Sequence, residues 1–217
     1  MLGFIEIKEI LLWNRKIMLP LRTRTSLPHN ILSDGKHKKL LSMHILEKFC
    51  YCPKCGSSHF VEDTEKSKKC ENCGFEYFLN PSAAVAAFIL NRNGKILIER
   101  RKKDPAKGMF DLPGGFVDVR ETAENAIVRE VMEETSLNVT DAKYLFTQPN
   151  VYRYSDFDVH TLDIFFLCTV EDETQMKAAD DAAECMWMKP EDIRTEQFGL
   201  RSVRQALHIF LETLKNR

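Results

Sequence analysis

The sequence predicts an α/β (α+β) protein in which mixed strands pack with two principal helices, preceded by a small zinc ribbon. Three observations lead there. Apolar runs of strand length alternate with turn residues, two segments repeat their apolar residues at helical spacing, and two Cys-x-x-Cys pairs lie upstream of both.

The chain has 217 residues and a formal net charge of -1, enough for one ordinary domain and a smaller module. That balance argues against bulk polyanion binding and against an acidic tail. Residues 1–42 hold eight Lys/Arg and three Asp/Glu (net +5), leaving 23 against 29 (net -6) for the rest, so basic surface is confined to the N-terminus. The opening stretch MLGFIEIKEILLWNRK is apolar, but Glu6, Lys8 and Glu9 interrupt it far short of a membrane span. No membrane segment and no export are expected, and the expected compartment is a reducing cytoplasm. Residues 1–42 keep no steady period and read as a leader, disordered or not translated, with Met43 as an alternative start.

Residues 43–81 form the predicted ribbon. Cys52-Pro-Lys-Cys55-Gly and Cys70-Glu-Asn-Cys73-Gly are two tight knuckles separated by fourteen residues, a spacing that suits tetrahedral zinc held by four thiolates. The segment is too short to fold on an apolar core, so the metal supplies what the core lacks. Four protein ligands make the zinc structural. Cys50, Cys168 and Cys185 read as spare or buried thiols.

Residues 82–217 form the main domain. Ala84–Asn91 and Lys95–Arg100 are apolar runs joined by Arg-Asn-Gly, which predicts a hairpin turning at Gly94. Gly114 and Gly115 break the chain before a helix that runs from an N-cap at Thr122 to Glu134, with Ile127, Val128, Val131 and Met132 grouped on one side. Thr147–Ser155 reads as a loop at a strand edge. Val159–Val170 is apolar on both alternating faces, as a central strand should be, and Glu184–Met188 is a further short strand. Val203, Ala206, Leu207, Phe210, Leu211 and Leu214 recur at helical spacing, so the C-terminal helix lays one face on the sheet.

The first helix carries the chemistry. Glu130, Glu133 and Glu134 are three and four residues apart or adjacent, so they share one patch and repel one another. A hard divalent cation offsets that repulsion and bridges to phosphate oxygens. Such an ion neutralises phosphate charge and acidifies water, and a carboxylate can take the proton. The combination suits hydrolysis of a P–O–P linkage.

These residues also carry a resemblance. GFVDVRETAENAIVREVMEETSL is similar to the Nudix box, G-x5-E-x7-R-E-U-x-E-E-x-G-U, with Gly115, Glu121, Arg129, Glu130, Val131, Glu133, Glu134 and Leu137 in register and Ser136 in place of a glycine. Gly108, Phe110 and Leu-Pro-Gly-Gly resemble the family's approach to the box, with Phe110 for tryptophan. The resemblance implies a Nudix mixed sheet sandwiched by helices and a pyrophosphohydrolase using magnesium or manganese. It makes Glu130 and Glu134 metal ligands, and Glu133 either a ligand or the base. Gly114 or Gly115 would offer a carbonyl, and Glu121 would pair with Arg129 to orient the helix. Glu184, three residues before Trp187, is a further candidate ligand.

A zinc ribbon ahead of such a domain is similar to the arrangement in NADH pyrophosphatases and some ADP-ribose or FAD pyrophosphatases. The NADH group carries S-Q-P-W-P-F-P-x-S beyond the box, where this chain reads Thr147-Gln148-Pro149-Asn150-Val151-Tyr152-Arg153-Tyr154-Ser155. Gln148, Pro149 and Ser155 match and Tyr152 keeps an aromatic, so Phe110, Gln148, Tyr152 and Ser155 are the candidate substrate contacts. The missing tryptophan and prolines point away from NADH. The expected substrate is a small nucleotide, a nucleoside diphosphate linked to another moiety such as ADP-ribose, NAD(H), FAD or a sugar nucleotide. No membrane or nucleic-acid partner is expected, and a homodimer is left open. The competing reading is a non-catalytic nucleotide-sensing regulator with the ribbon as interaction module.

Overall fold

The computed structural model describes residues 44–215; the predicted leader lies outside them. Among the described residues, no helix is long and apolar enough to cross a membrane. The strands are β1 (Phe60–Thr64), β2 (Ser67–Cys70), β3 (Glu76–Phe78), β4 (Ser82–Ile89), β5 (Ile96–Arg101), β6 (Phe110–Asp111), β7 (Gly114–Phe116), β8 (Val139–Tyr154), β9 (Phe157–Val170) and β10 (Ala182–Met188). The helices are α1 (Ala123–Thr135) and α2 (Arg201–Lys215).

The ribbon is a small antiparallel sheet in the order β1-β2-β3. Its apolar core is little more than Cys52, Phe60 and Cys70, with Cys73, Phe75 and Tyr77 against it. So thin a core accords with a module that leans on metal.

The main domain is mixed. A four-stranded sheet runs β7-β4-β9-β8, with β4 and β9 parallel, and a three-stranded one runs β10-β5-β6. Both faces of the larger sheet are covered. Ala86, Phe88 and Phe165 pack with Val203, Ala206, Leu207 and Phe210 of α2, where the Phe88 and Phe210 rings stack at 4.0 Å. On the opposite face Val85, Ala87 and Phe166 pack with Ala126, Ile127 and Val131 of α1. Adjacent residues Phe165 and Phe166 thus enter different cores, which is why β9 reads as a continuous apolar run.

Four local expectations are corrected. The turn at Asn91–Gly94 forms, with Asn91 N–H donating to the Lys95 carbonyl at 2.9 Å, but β4 and β5 share one bridge, Leu90 to Ile96, rather than a hairpin ladder. Both strands are buried on both faces, so they splay and each becomes the middle of its own sheet. Gly114 and Gly115 do not break the chain; they form β7, the edge strand beside β4. Thr147–Tyr154 is not a loop but the far half of the sixteen-residue β8, paired with β9 throughout. The buried stripe of α1 is rotated from the expected one: Ala126, Ile127, Val131 and Glu134 face inward, while Val128 and Met132 stay exposed.

Candidate active site

α1 begins where the sequence places its cap: the Thr122 hydroxyl accepts from Asn125 N–H at 3.2 Å. It ends on Ser136 in the left-handed conformation (φ 59°), whose N–H donates to the Met132 carbonyl. Glycine usually takes that position because it has no Cβ.

Arg129 organises the exposed side of the site. It grips Glu121 with two parallel bonds, Nε to Oε1 at 2.9 Å and Nη2 to Oε2 at 2.8 Å, and donates to the Phe116 carbonyl at 3.1 Å. Nη1 reaches Glu130 at 2.8 Å and Glu133 at 3.1 Å. One guanidinium therefore ties the strand before the helix to two of its three carboxylates. The Arg129 hydrogen bond, helped by the Asp118 N–H, holds the Glu121 carboxyl down to about 2. Burial pushes Glu130 up, against the pull of Arg129.

Glu134 points inward. It is 5% exposed, and Oε2 accepts from Gly114 N–H at 2.8 Å. Burial, with Glu130 and Asp111 adding repulsion, raises it to about 8. Beside it sits Glu99 of β5, 2% exposed, with Oε2 lacking any hydrogen-bond partner. Burial and then Glu134 raise Glu99 to about 10. Asp111, also buried, is neutralised by Arg101. The interior of the site thus has more carboxylate than cation, an arrangement that fits a bound divalent ion.

The two glycines are needed for close approach. A Cβ on Gly114 would meet the Val85 carbonyl oxygen at 2.0 Å, and one on Gly115 would meet Glu130 Oε1 at 2.4 Å. The ladder bonds Ala87 N–H to Pro113 and Val117 N–H to Ala83 place Gly115 in a hydrogen-bonded pair with Val85. Gly114 falls in the alternate position, so its N–H and carbonyl face away from β4, and the N–H reaches Glu134.

The remaining predicted residues are more dispersed. Glu184 on β10 is exposed and engaged by Arg100 Nε at 3.2 Å. Phe110 meets Phe198 at a tilt of 57° with 5.8 Å between ring centres, and the Arg100 guanidinium lies 4.5 Å over its ring. Gln148 lies opposite Asp163 in the β8–β9 ladder. Tyr152 is half-buried, and its hydroxyl is pushed up by burial and by Asp163. Ser155 lies in the exposed β8–β9 turn and is not brought to the carboxylates.

Cys52, Cys55, Cys70 and Cys73 bring their sulfur atoms within 4.8 Å of one another, the sole such ligand group among the described residues. The Ser57 backbone N–H and then Cys73 draw the Cys55 thiol down to about 6. Four converging thiols, one of them acidified by its neighbours, are compatible with zinc. Cys50, Cys168 and Cys185 are free thiols.

Sequence reasoning missed Glu99, Arg101, Asp111 and Asp163. Asp163, buried, accepts from Thr161 and Ser202 at 2.5 Å each and ties β9 to α2. The signal was available: a charge inside a run apolar on both faces has no solvent-facing position and must find a partner or a ligand.

A family model described as the NUDIX domain matches residues 80–207. Among known proteins, the chain is 42% identical over 112 residues to an ADP-ribose pyrophosphatase of Methanocaldococcus jannaschii, covering 51% of this chain and 63% of that protein, less than two thirds of its length. It is 28% identical over 203 residues to an NAD-capped RNA hydrolase NudC of Haemophilus influenzae, covering 90% of this chain and 72% of that one. A solved NUDIX hydrolase from Nitrosomonas europaea has the same fold, with a TM-score of 0.58 at 21% identity over 75% of this chain and 90% of that one.

Proposed function

The chain belongs to the Nudix family, and on that premise we propose that it hydrolyses the diphosphate of a nucleoside diphosphate linked to another moiety, with ADP-ribose as the preferred class. The observation that carries this reading is the carboxylate surplus beside β7, where Glu130 lies against Gly115, Glu134 accepts from Gly114 N–H and buried Glu99 lies beside Glu134. A nucleotide sensor needs no such set, and the enzymatic reading is therefore favoured over the regulator.

In this reading Glu130, Glu134 and the Gly114 carbonyl hold magnesium or manganese, and the ladder position of Gly115 makes Gly114 the better donor. The ion supplies charge neutralisation at the diphosphate and lowers the pKa of water. Glu133, the most exposed of the three carboxylates at 46%, takes the proton from the attacking water. Arg129 and Glu121 orient these groups. Glu184 joins them only by exchanging Arg100 for the cation. Phe110 and Tyr152 line the nucleotide side, while Arg153, paired with Asp158 at 2.9 Å, is already engaged. Zinc is held by the four ribbon cysteines, and the free thiols suit a reducing cytoplasm.

Substrate preference follows from Thr147–Tyr154. Where two prolines and a tryptophan would build a rigid apolar wall, this strand carries Val151, Arg153 and a buried Asn150. Comparing kcat/KM for ADP-ribose, NADH, NAD, FAD and sugar nucleotides at one magnesium concentration tests the reading, with ADP-ribose expected ahead of NADH. An NADH preference beyond about tenfold, roughly 1.4 kcal/mol of transition-state binding, would overturn it.

A further inference from the structure

The far end of the β8–β9 hairpin has little to hold it. β4 covers β9 only from Thr161 to Cys168, so Val151–Tyr154 and Phe157–His160 project as a two-stranded ribbon beyond the third strand. Two-stranded ribbons are marginal in water on their own. The connecting turn adds a burden, because Ser155 (φ 48°) and Asp156 (φ 59°) both occupy the left-handed region that such turns normally fill with Asn and Gly.

The cysteine module meets this projecting end. The Phe49 ring stacks on Tyr77 of β3 at 5.8 Å and meets Phe157 edge-on at 5.7 Å. Lys48 Nζ donates to the Asp156 carbonyl inside the strained turn. Phe49 is in turn fixed from behind: its carbonyl accepts from Lys68 Nζ at 2.8 Å, and Lys68 stands two residues before Cys70 on β2. A continuous set of contacts therefore runs from the thiol cluster through β2 and Phe49 to the tip of the hairpin.

We propose that Phe49 and Lys48 are positioning residues through which the zinc ribbon braces the projecting hairpin and so holds Tyr152 at the nucleotide. The substrate half of this proposal rests on the reading of Tyr152 given above; the mechanical half does not. Tyr152 lies on the unsupported stretch, paired with Val159 and three residues before the turn at Ser155. Among the described residues its backbone pairs with β9, and the ribbon meets the hairpin just beyond it.

The test uses the full zinc-loaded chain with Phe49→Ala, Phe49→Tyr and, from the hairpin side, Phe157→Ala. Hydrogen exchange is followed at residues 151–160, together with bound zinc and steady-state kinetics. Phe49→Ala and Phe157→Ala should each speed exchange there by about tenfold or more while β4 and α1 are unchanged. Zinc content should stay at the wild-type level. KM should rise about fivefold or more with kcat within about twofold, and Phe49→Tyr should restore both readouts. If Phe49→Ala destabilises the ribbon itself, Phe157→Ala, which leaves the module intact, decides. Unchanged hairpin exchange in Phe157→Ala overturns the brace. Faster exchange with unchanged KM upholds the brace and overturns the assignment of Tyr152 to substrate.

Discussion

Replacing Glu134 with glutamine should have opposite effects on stability and on turnover. Its carboxyl is raised from the ordinary 4.5 to about 8 by burial and by Glu130 and Asp111. In metal-free protein the folded state therefore keeps a proton that the unfolded chain releases. This contribution to stability is intact below pH 4.5 and is lost progressively as pH rises toward 8. At pH 7 the loss amounts to about 3 kcal/mol, from 1.4 kcal/mol per unit over two and a half units. Glu134→Gln removes it and can still accept the Gly114 N–H. In chelator at pH 8, where the same arithmetic gives about 4 kcal/mol, the variant should be more stable than wild type by up to about that amount, and the two should come within about 1 kcal/mol of each other at pH 5. With magnesium present, the same substitution should lower kcat by at least about a hundredfold, because a metal-binding charge is gone from the chemical step. Urea denaturation at the two pH values and steady-state turnover read both effects. A variant less stable than wild type at pH 8 in chelator, or a folded variant with near-normal kcat, would refute the reasoning.

Protein purified under reducing conditions should carry about one zinc per chain, lost when Cys70 and Cys73 become serine; elemental analysis showing none in the wild type rules the site out. Ser136→Gly should stabilise the fold by about 1 kcal/mol by relieving the left-handed conformation at the end of α1, with kcat unchanged. A midpoint in urea that stays put or falls would show that the turn beyond α1, and not the Cβ, sets the cost.

The parts of the fold read correctly from sequence are those where periodicity has one interpretation. β9 and α2 each show a long pattern set by burial on known faces, and the cap at Thr122 is a local hydrogen bond. The ribbon and the box were legible because metal ligands need particular atoms at particular spacings. What failed was pairing. Lys95–Arg100 is a strand with a good turn before it, yet nothing local says that β4 prefers β7 and β9 as neighbours. Thr147–Tyr154 mixes Pro149, Asn150 and Arg153 into a segment whose strand state comes from the fourteen residues of β9 opposite it. The inward turn of Glu134 escaped notice for the same reason. A helical wheel favours Met132 for the core, and only the Gly114 N–H, a partner that nothing local announces, gives a buried glutamate something to accept from.

The parallel pairing of β4 with β9 also governs the order of events in synthesis. Ser82 pairs with Thr161, 161 minus 82 or 79 residues later, so the central strand contact cannot form until most of the domain has left the ribosome. At about 5–20 residues per second the nascent β4, apolar from Ala83 to Ile89, waits several seconds for β9. The cysteine module has no such delay, since its two knuckles span only residues 52 to 73. The chain thus emerges with its metal-closing segment complete and its hydrophobic strand still without its parallel neighbour, and that interval is when the protein is most exposed to aggregation.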